Sequence, residues 1–135
     1  MPDDEEEIYE QHVMRHYEEP YHNGHLGNPT HVHRSDNPVC GDSVQIELKF
    51  SEDGVIEEAW FVSQGCCLSQ ASASMLVQRI EGMSVADVMH FGAGDMLKLF
   101  GARLTARRLQ CCLLPWKALQ LAIHSSMDSS SHRGN

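Results

Sequence analysis

Long apolar runs are missing from this 135-residue chain. The longest candidate, Leu109 to Leu114, falls far short of the ~18–20 residues that a bilayer-spanning helix needs, so no membrane span is expected. Basic residues are scarce: ten Lys and Arg stand against nineteen Asp and Glu, a formal net charge of −9. Nucleic-acid binding relies on basic surface to neutralise phosphates, so it is not expected here. The opening Met-Pro-Asp-Asp-Glu-Glu-Glu lacks the cationic n-region and apolar h-region of a secretory signal and the arginines of a transit peptide, which points to a cytoplasmic protein. A disulfide framework is equally unexpected. The five cysteines are odd in number and include two adjacent pairs, Cys66-Cys67 and Cys111-Cys112. Without an export signal, burial, catalysis or metal ligation remains for the thiols.

What is present reads as a globular domain, with 41% hydrophobic and 21% charged residues. The length suits a single domain over 1–135, with a frayed acidic tail at 1–6 and a polar tail at 125–135. Charge is unevenly spread. Lys98, Arg103, Arg107, Arg108 and Lys117 occupy a stretch with no acid between Met96 and Met127. Such a stretch is either a solvated helix face or a docking surface for an acidic partner.

Helical spacing of Ile8, His12 or Val13, His16 and Tyr17 predicts an amphipathic helix over Glu6–Glu18. The Gly- and Pro-punctuated segment Tyr21–Pro38 reads as a loop with one irregular edge strand near His31–Arg34. Strict alternation over Ser43–Phe50 predicts a strand, the turn Ser51-Glu52-Asp53-Gly54 follows, and Val55–Val62 returns antiparallel. The phase of that second strand is blurred, because Ala59, Trp60, Phe61 and Val62 are all apolar. Gly65 ends it. Helices are then expected over Cys67–Ile80, Val85–His90 behind a Ser84/Asp87 capping box, and from Asp95 through Phe100. The last helix should be capped by Thr105 and carry an apolar stripe of Leu109, Cys112, Leu113, Trp116, Leu119 and Ile123. Pro115 implies either a later start or a locally opened turn beside Cys111.

Cys40, Cys66 and Cys111, with Asp42, make a plausible donor set for zinc or an iron–sulfur centre. Asp42 is two residues from Cys40, a spacing that can share one ion across a strand face. Cys66 falls where a strand turns into a helix N-terminus, and Cys111 lies near Arg107 and Arg108 in sequence; both settings favour a thiolate. The alternative for each is a buried inert thiol. Cys67 and Cys112 read better as core residues. His22, His25, His31 and His33 form a histidine-rich loop, either plain exposed polarity or a source of one auxiliary ligand.

The runs Asn37-Pro38-Val39-Cys40-Gly41-Asp42, Gly65-Cys66-Cys67-Leu68-Ser69-Gln70-Ala71-Ser72-Ala73-Ser74 and Arg108-Leu109-Gln110-Cys111-Cys112-Leu113-Leu114-Pro115-Trp116 resemble, in order, the three motifs of the iron–sulfur scaffold family of IscU, SufU and the NifU N-terminal domain. The opening helix and the loop through Asn23 and Gly24 are similar as well. The resemblance implies an α+β fold, a small antiparallel three-stranded sheet with helices packed on one face. It implies metal or cluster ligation by Cys40, Asp42, Cys66 and Cys111, with zinc and/or a transient [2Fe–2S] cluster as the bound species. Cys111 would be the persulfide acceptor if the chain transfers sulfur. Arg108, a motif position, would belong to the surroundings of the site, and Arg103 and Arg107 to a docking face. The implied partners are a pyridoxal-phosphate cysteine desulfurase of the SufS/IscS kind and apo iron–sulfur acceptor proteins; the implied role is a scaffold or sulfur acceptor, not an ordinary enzyme. Arg108 and Trp116 around Cys111 resemble SufU, whereas Gln110 stands where IscU has histidine. The short separation of Cys66 from Cys111 is closer to IscU.

Overall fold

Alternation of apolar side chains organises the molecule around one hairpin. The computed structural model describes residues 11–38, 41–101 and 104–132. Strands β1 (His31–Asn37), β2 (Asp42–Phe50) and β3 (Ile56–Gln64) form an antiparallel sheet in the order β1-β2-β3. Val44, Ile46 and Leu48 on β2 and Ala59 and Phe61 on β3 are fully buried on one face, because strand side chains alternate. Ile46 is the hub of the register, paired with His33 on one side and Phe61 on the other. A register shift between Lys49 and Phe50 brings Phe50 opposite Ile56 and moves the start of β3 one residue past the expected Val55.

The blurred phase of β3 resolves on the opposite face. Trp60 points away from the core and stacks on His22, with ring centroids 4.3 Å apart and planes 3° from parallel. The segment expected to be loop therefore lies along the sheet: Gly24 N–H donates to the Phe61 carbonyl and Phe61 N–H to that of His22. β1 is also longer and more regular than the sequence suggests, with each residue from His31 to Asn37 paired to β2.

Helix α1 is described over residues 11–18, within the expected Glu6–Glu18; the acidic tail lies outside the described residues. α2 (Cys67–Ile80), α3 (Val85–His90), α4 (Ala93–Phe100) and α5 (Ala106–His132) follow. Ala71, Ser72, Ala73 and Ser74 are all buried, so small side chains let α2 sit close to its neighbours. Ser84 caps α3 through the Asp87 N–H, as its sequence position implies. α4 begins two residues before the expected Asp95, since Gly92 is its N-cap and the Asp95 carboxylate accepts the Gly92 N–H.

Thr105 caps α5, its hydroxyl accepting from Arg108 N–H at 3.4 Å. The helix then runs unbroken through Pro115, so neither the later start nor an interruption occurs. It also continues to His132, through the stretch from Ser125 where a polar tail was expected. α5 packs on β1, β2 and α2. The main core joins the sheet to α2, α3, α4 and α5 around Phe61, Leu76 and Leu119, and a smaller cluster of Val13, Ala71, Met75, Phe100 and Cys112 ties in α1.

Candidate metal centre

The hairpin, α2 and α5 each contribute one donor at a common point. Asp42 opens β2, Cys66 is the N-cap of α2, and Cys111 lies in the second turn of α5. Their ligand atoms all lie within 4.8 Å of one another. Asp42 and Cys111 are buried, 2% and 4% exposed, while Cys66 is half-buried at the mouth.

Each donor is set by local backbone. β2 and β3 end together here, with Ser43 opposite Gln64, so the start of one strand meets the exit of the other. Asp42 Oδ1 accepts the Cys66 backbone N–H at 2.8 Å. Gly65 makes that approach possible: a Cβ at this position would stand 2.3 Å from the same oxygen, and its φ is +108°, a conformation that only glycine adopts without strain. Cys66 Sγ accepts from Leu68 N–H at 3.3 Å, so the thiol itself caps the helix. Ser69 Oγ donates to the Cys66 carbonyl at 2.9 Å.

Among the described residues, Asp42 Oδ2 is buried with no hydrogen-bond partner. Buried side-chain oxygens in folded proteins are nearly always satisfied, and an orphan asks for a missing partner. Here the oxygen sits beside two thiols, and a cation with mixed oxygen and sulfur ligands fits that donor chemistry.

The electrostatics of Cys111 differ from the expectation drawn from Arg107 and Arg108. Both arginines are exposed. Burial, then the adjacent Asp42 carboxylate and Cys66, push the Cys111 thiol far above its usual range. Without a cation, this thiol keeps its proton; a bound cation would reverse that preference, since metal ligation deprotonates a thiol.

Three of the four expected ligands are thus brought together, and Cys40 lies outside the described residues, as does Arg103. Cys112 is in the core as expected, and burial raises its thiol pKa to about 11 against a smaller opposing effect of Ser72. Cys67 is a correction: it is exposed, because at the start of α2 it points away from the side that buries Ser69. His22, His25 and His31 are engaged elsewhere. His22 Nδ1 lies 2.9 Å from Glu81, His25 Nδ1 is 2.7 Å from Glu47, and His31 Nδ1 is 2.8 Å from Thr30 Oγ1. Among the described residues none of them joins the donor group. The space left by Gly65 was missed as a functional feature; its sequence signal was the glycine immediately before Cys66.

A half-exposed thiol, a buried thiol and a buried carboxylate meet at one end of an α+β hairpin domain, a donor group that could hold a metal ion. Residues 8–130 match the NifU-like N terminal domain. The zinc-dependent sulfurtransferase SufU of Bacillus subtilis (strain 168) is 33% identical over 133 residues, covering 86% of this chain and 89% of the relative. The iron–sulfur cluster assembly scaffold protein IscU of Streptococcus pyogenes serotype M1 is 31% identical, covering 87% and 83%. A crystal structure of a Fervidobacterium islandicum protein, described as an iron–sulfur cluster assembly scaffold for the SUF system, superimposes with a TM-score of 0.73 at 27% identity, covering 87% of this chain and 97% of that one. The chain belongs to the NifU-like N-terminal domain family, the IscU/SufU type of iron–sulfur cluster assembly scaffold.

Proposed function

We propose that the protein accepts sulfur from a pyridoxal-phosphate cysteine desulfurase and holds a transient [2Fe–2S] cluster, as cargo for apo acceptor proteins, on Cys40, Asp42, Cys66 and Cys111. The observation that carries this reading is the buried Asp42 Oδ2, without a hydrogen-bond partner among the described residues, beside two thiols. Cys40, two positions before Asp42 in the sequence, completes the set in this reading. Thiolates suit iron–sulfur cargo, and the single harder carboxylate leaves one weaker attachment for release.

Cys111 is the sulfur acceptor in this reading. Its thiolate attacks the terminal sulfur of a desulfurase persulfide, the S–S bond breaks, and the desulfurase cysteine departs as a thiolate while Cys111 carries the persulfide. Cys111 is buried, and burial with the neighbouring Asp42 and Cys66 disfavours its thiolate, so docking would expose and deprotonate it in this reading. Arg103 and Arg107 belong to the docking face in this reading. Reversing both charges should slow desulfurase association and weaken its salt dependence with metal content unchanged; equal rates and salt slopes would remove this face as the dock.

The spacing of the donors favours a second reading. Ligands around one tetrahedral zinc ion stand about 3.8 Å apart for Zn–S bonds near 2.3 Å, and the three donors fall within 4.8 Å of one another. A single zinc ion would supply charge that keeps the thiols ionised, and the chain would act as a zinc-dependent sulfurtransferase like its Bacillus relative. Anaerobic purification with metal analysis, then absorption spectra after adding desulfurase, cysteine and ferrous iron, separates the two. Visible cluster bands are expected. A colourless protein with one zinc that stimulates the desulfurase and never assembles cluster would decide for the second reading.

A further inference from the structure

Ser72 is fully buried on α2, and its hydroxyl donates to the backbone carbonyl of Cys112 on α5 at 2.6 Å. A serine inside a helix usually turns its single proton to a carbonyl of its own preceding turn. Here the proton is spent across the interface. The helices joined in this way are the two that carry the thiols of the site, with Cys66 capping α2 and Cys111 next to Cys112 on α5.

Pro115 explains why a cross-helix donor matters at this turn. Proline has no N–H, so the Cys111 carbonyl lacks its ordinary helical donor, and the ring crowds that carbonyl. Such turns open unless a neighbouring group holds them. Around this turn Ala71, Met75 and Cys112 share one apolar cluster, and the same Ser72 hydroxyl lies 3.9 Å from Cys112 Sγ. Apolar contacts resist separation but tolerate small rotations, whereas a hydrogen bond is directional.

We propose that Ser72 is a positioning residue for Cys111: its bond to the Cys112 carbonyl fixes the rotation of α5 at the proline-weakened turn and so holds the Cys111 sulfur against Asp42 and Cys66. This rests on the reading of those three side chains as a donor set. Removing the hydroxyl leaves the Cys112 carbonyl only its ordinary donor within α5, takes away the directional tie between the helices, and frees the proline-weakened turn to rotate, carrying Cys111 with it.

Two readouts on Ser72→Ala test this. In metal-free protein, the iodoacetamide labelling rate of each cysteine is followed by mass spectrometry, with exposed Cys67 as internal reference. Cys111 labelling should rise about tenfold relative to Cys67 while Cys112 stays protected, and the zinc dissociation constant from chelator competition should rise about tenfold. Unchanged Cys111 labelling overturns the proposal, and so does parallel acceleration of Cys111 and Cys112, the mark of global unfolding. If Ser72→Ala does not fold, the variant is made with Pro115→Ala, which restores the missing N–H. The double variant should then fold and label Cys111 within about threefold of Pro115→Ala alone; failure to fold, or faster labelling, overturns the proposal. A wild-type protein that binds no zinc would overturn the donor-set reading instead, and the labelling ratio alone would then decide the role of Ser72.

Discussion

The backbone N–H of Cys66 donates to Asp42 Oδ1 at 2.8 Å, so the peptide of one donor aims the carboxylate of another. One oxygen of Asp42 is thereby anchored, while the other has no hydrogen-bond partner among the described residues. The contact survives only because Gly65 has no side chain. Gly65→Ala should destabilise the fold by about 1–3 kcal/mol through its left-handed backbone alone. It should also displace Asp42 and sharply reduce zinc binding. Thermal unfolding and metal stoichiometry check both effects; normal zinc content in a folded Gly65→Ala protein would show that the Asp42 position is not critical.

The thiols should separate into two groups. Cys40→Ala, Cys66→Ala and Cys111→Ala should each lose most bound metal, and Cys67→Ala and Cys112→Ala should keep it. Cys112→Ala should nonetheless lower stability by about 1–2 kcal/mol, because its side chain is fully buried against α1, α2 and α4. Metal analysis on all five variants, with unfolding curves, checks this. Loss of metal from a folded Cys67→Ala or Cys112→Ala protein would mean that the wrong member of an adjacent pair was assigned.

Asp42→Ala should lengthen the lifetime of an assembled cluster during transfer to an apo-ferredoxin, because it removes the hard ligand from a soft set. It also leaves the Cys66 N–H without its acceptor, so a modest loss of thermal stability should accompany the slower transfer. Faster cluster loss from the variant would refute the idea that the carboxylate is the weak attachment.

Acidification should loosen α1. His16 Nδ1 lies 2.7 Å from Ser74 Oγ, which also accepts the Tyr21 N–H. Burial, followed by neighbouring His12 and Arg15, lowers the His16 pKa from 6.5. The folded state therefore favours neutral imidazole. Its contribution is complete above 6.5 and declines as pH falls through the lower folded value. Wild type should lose more thermal stability than His16→Gln between about pH 7 and pH 5. Parallel melting curves for the two proteins would contradict this.

The hairpin was legible because Val44, Ile46 and Leu48 alternate with polar residues and a turn sequence follows. β1 was poorly legible for the opposite reason. Val32, Arg34 and Asp36 are exposed and the residues between them only half-buried, so its register is imposed by hydrogen bonding to β2 and leaves little apolar signature. Pro115 argued locally for an interruption, but α5 is long and its flanks are packed on the sheet, which outweighs one lost bond. In the site, the cap position of Cys66 followed from the strand-to-helix change. The protonated state of Cys111 did not follow from sequence, because nearness along the chain to Arg107 and Arg108 says nothing about burial. The exposure of Cys67 escaped notice similarly: neighbours at a helix start point in different directions.

Asp42, Cys66 and Cys111 come from the beginning, middle and end of the folded chain. No partial chain that stops before α5 contains all three, and closing the site requires the last helix to return to the first hairpin. In the proposed reading ion capture is linked to completion of the fold: an ion that binds only the finished arrangement stabilises it by mass action and barely touches a growing or truncated polypeptide. In the proposed scaffold reading the same arithmetic runs in reverse at handover, where drawing α5 away would take apart the donor set.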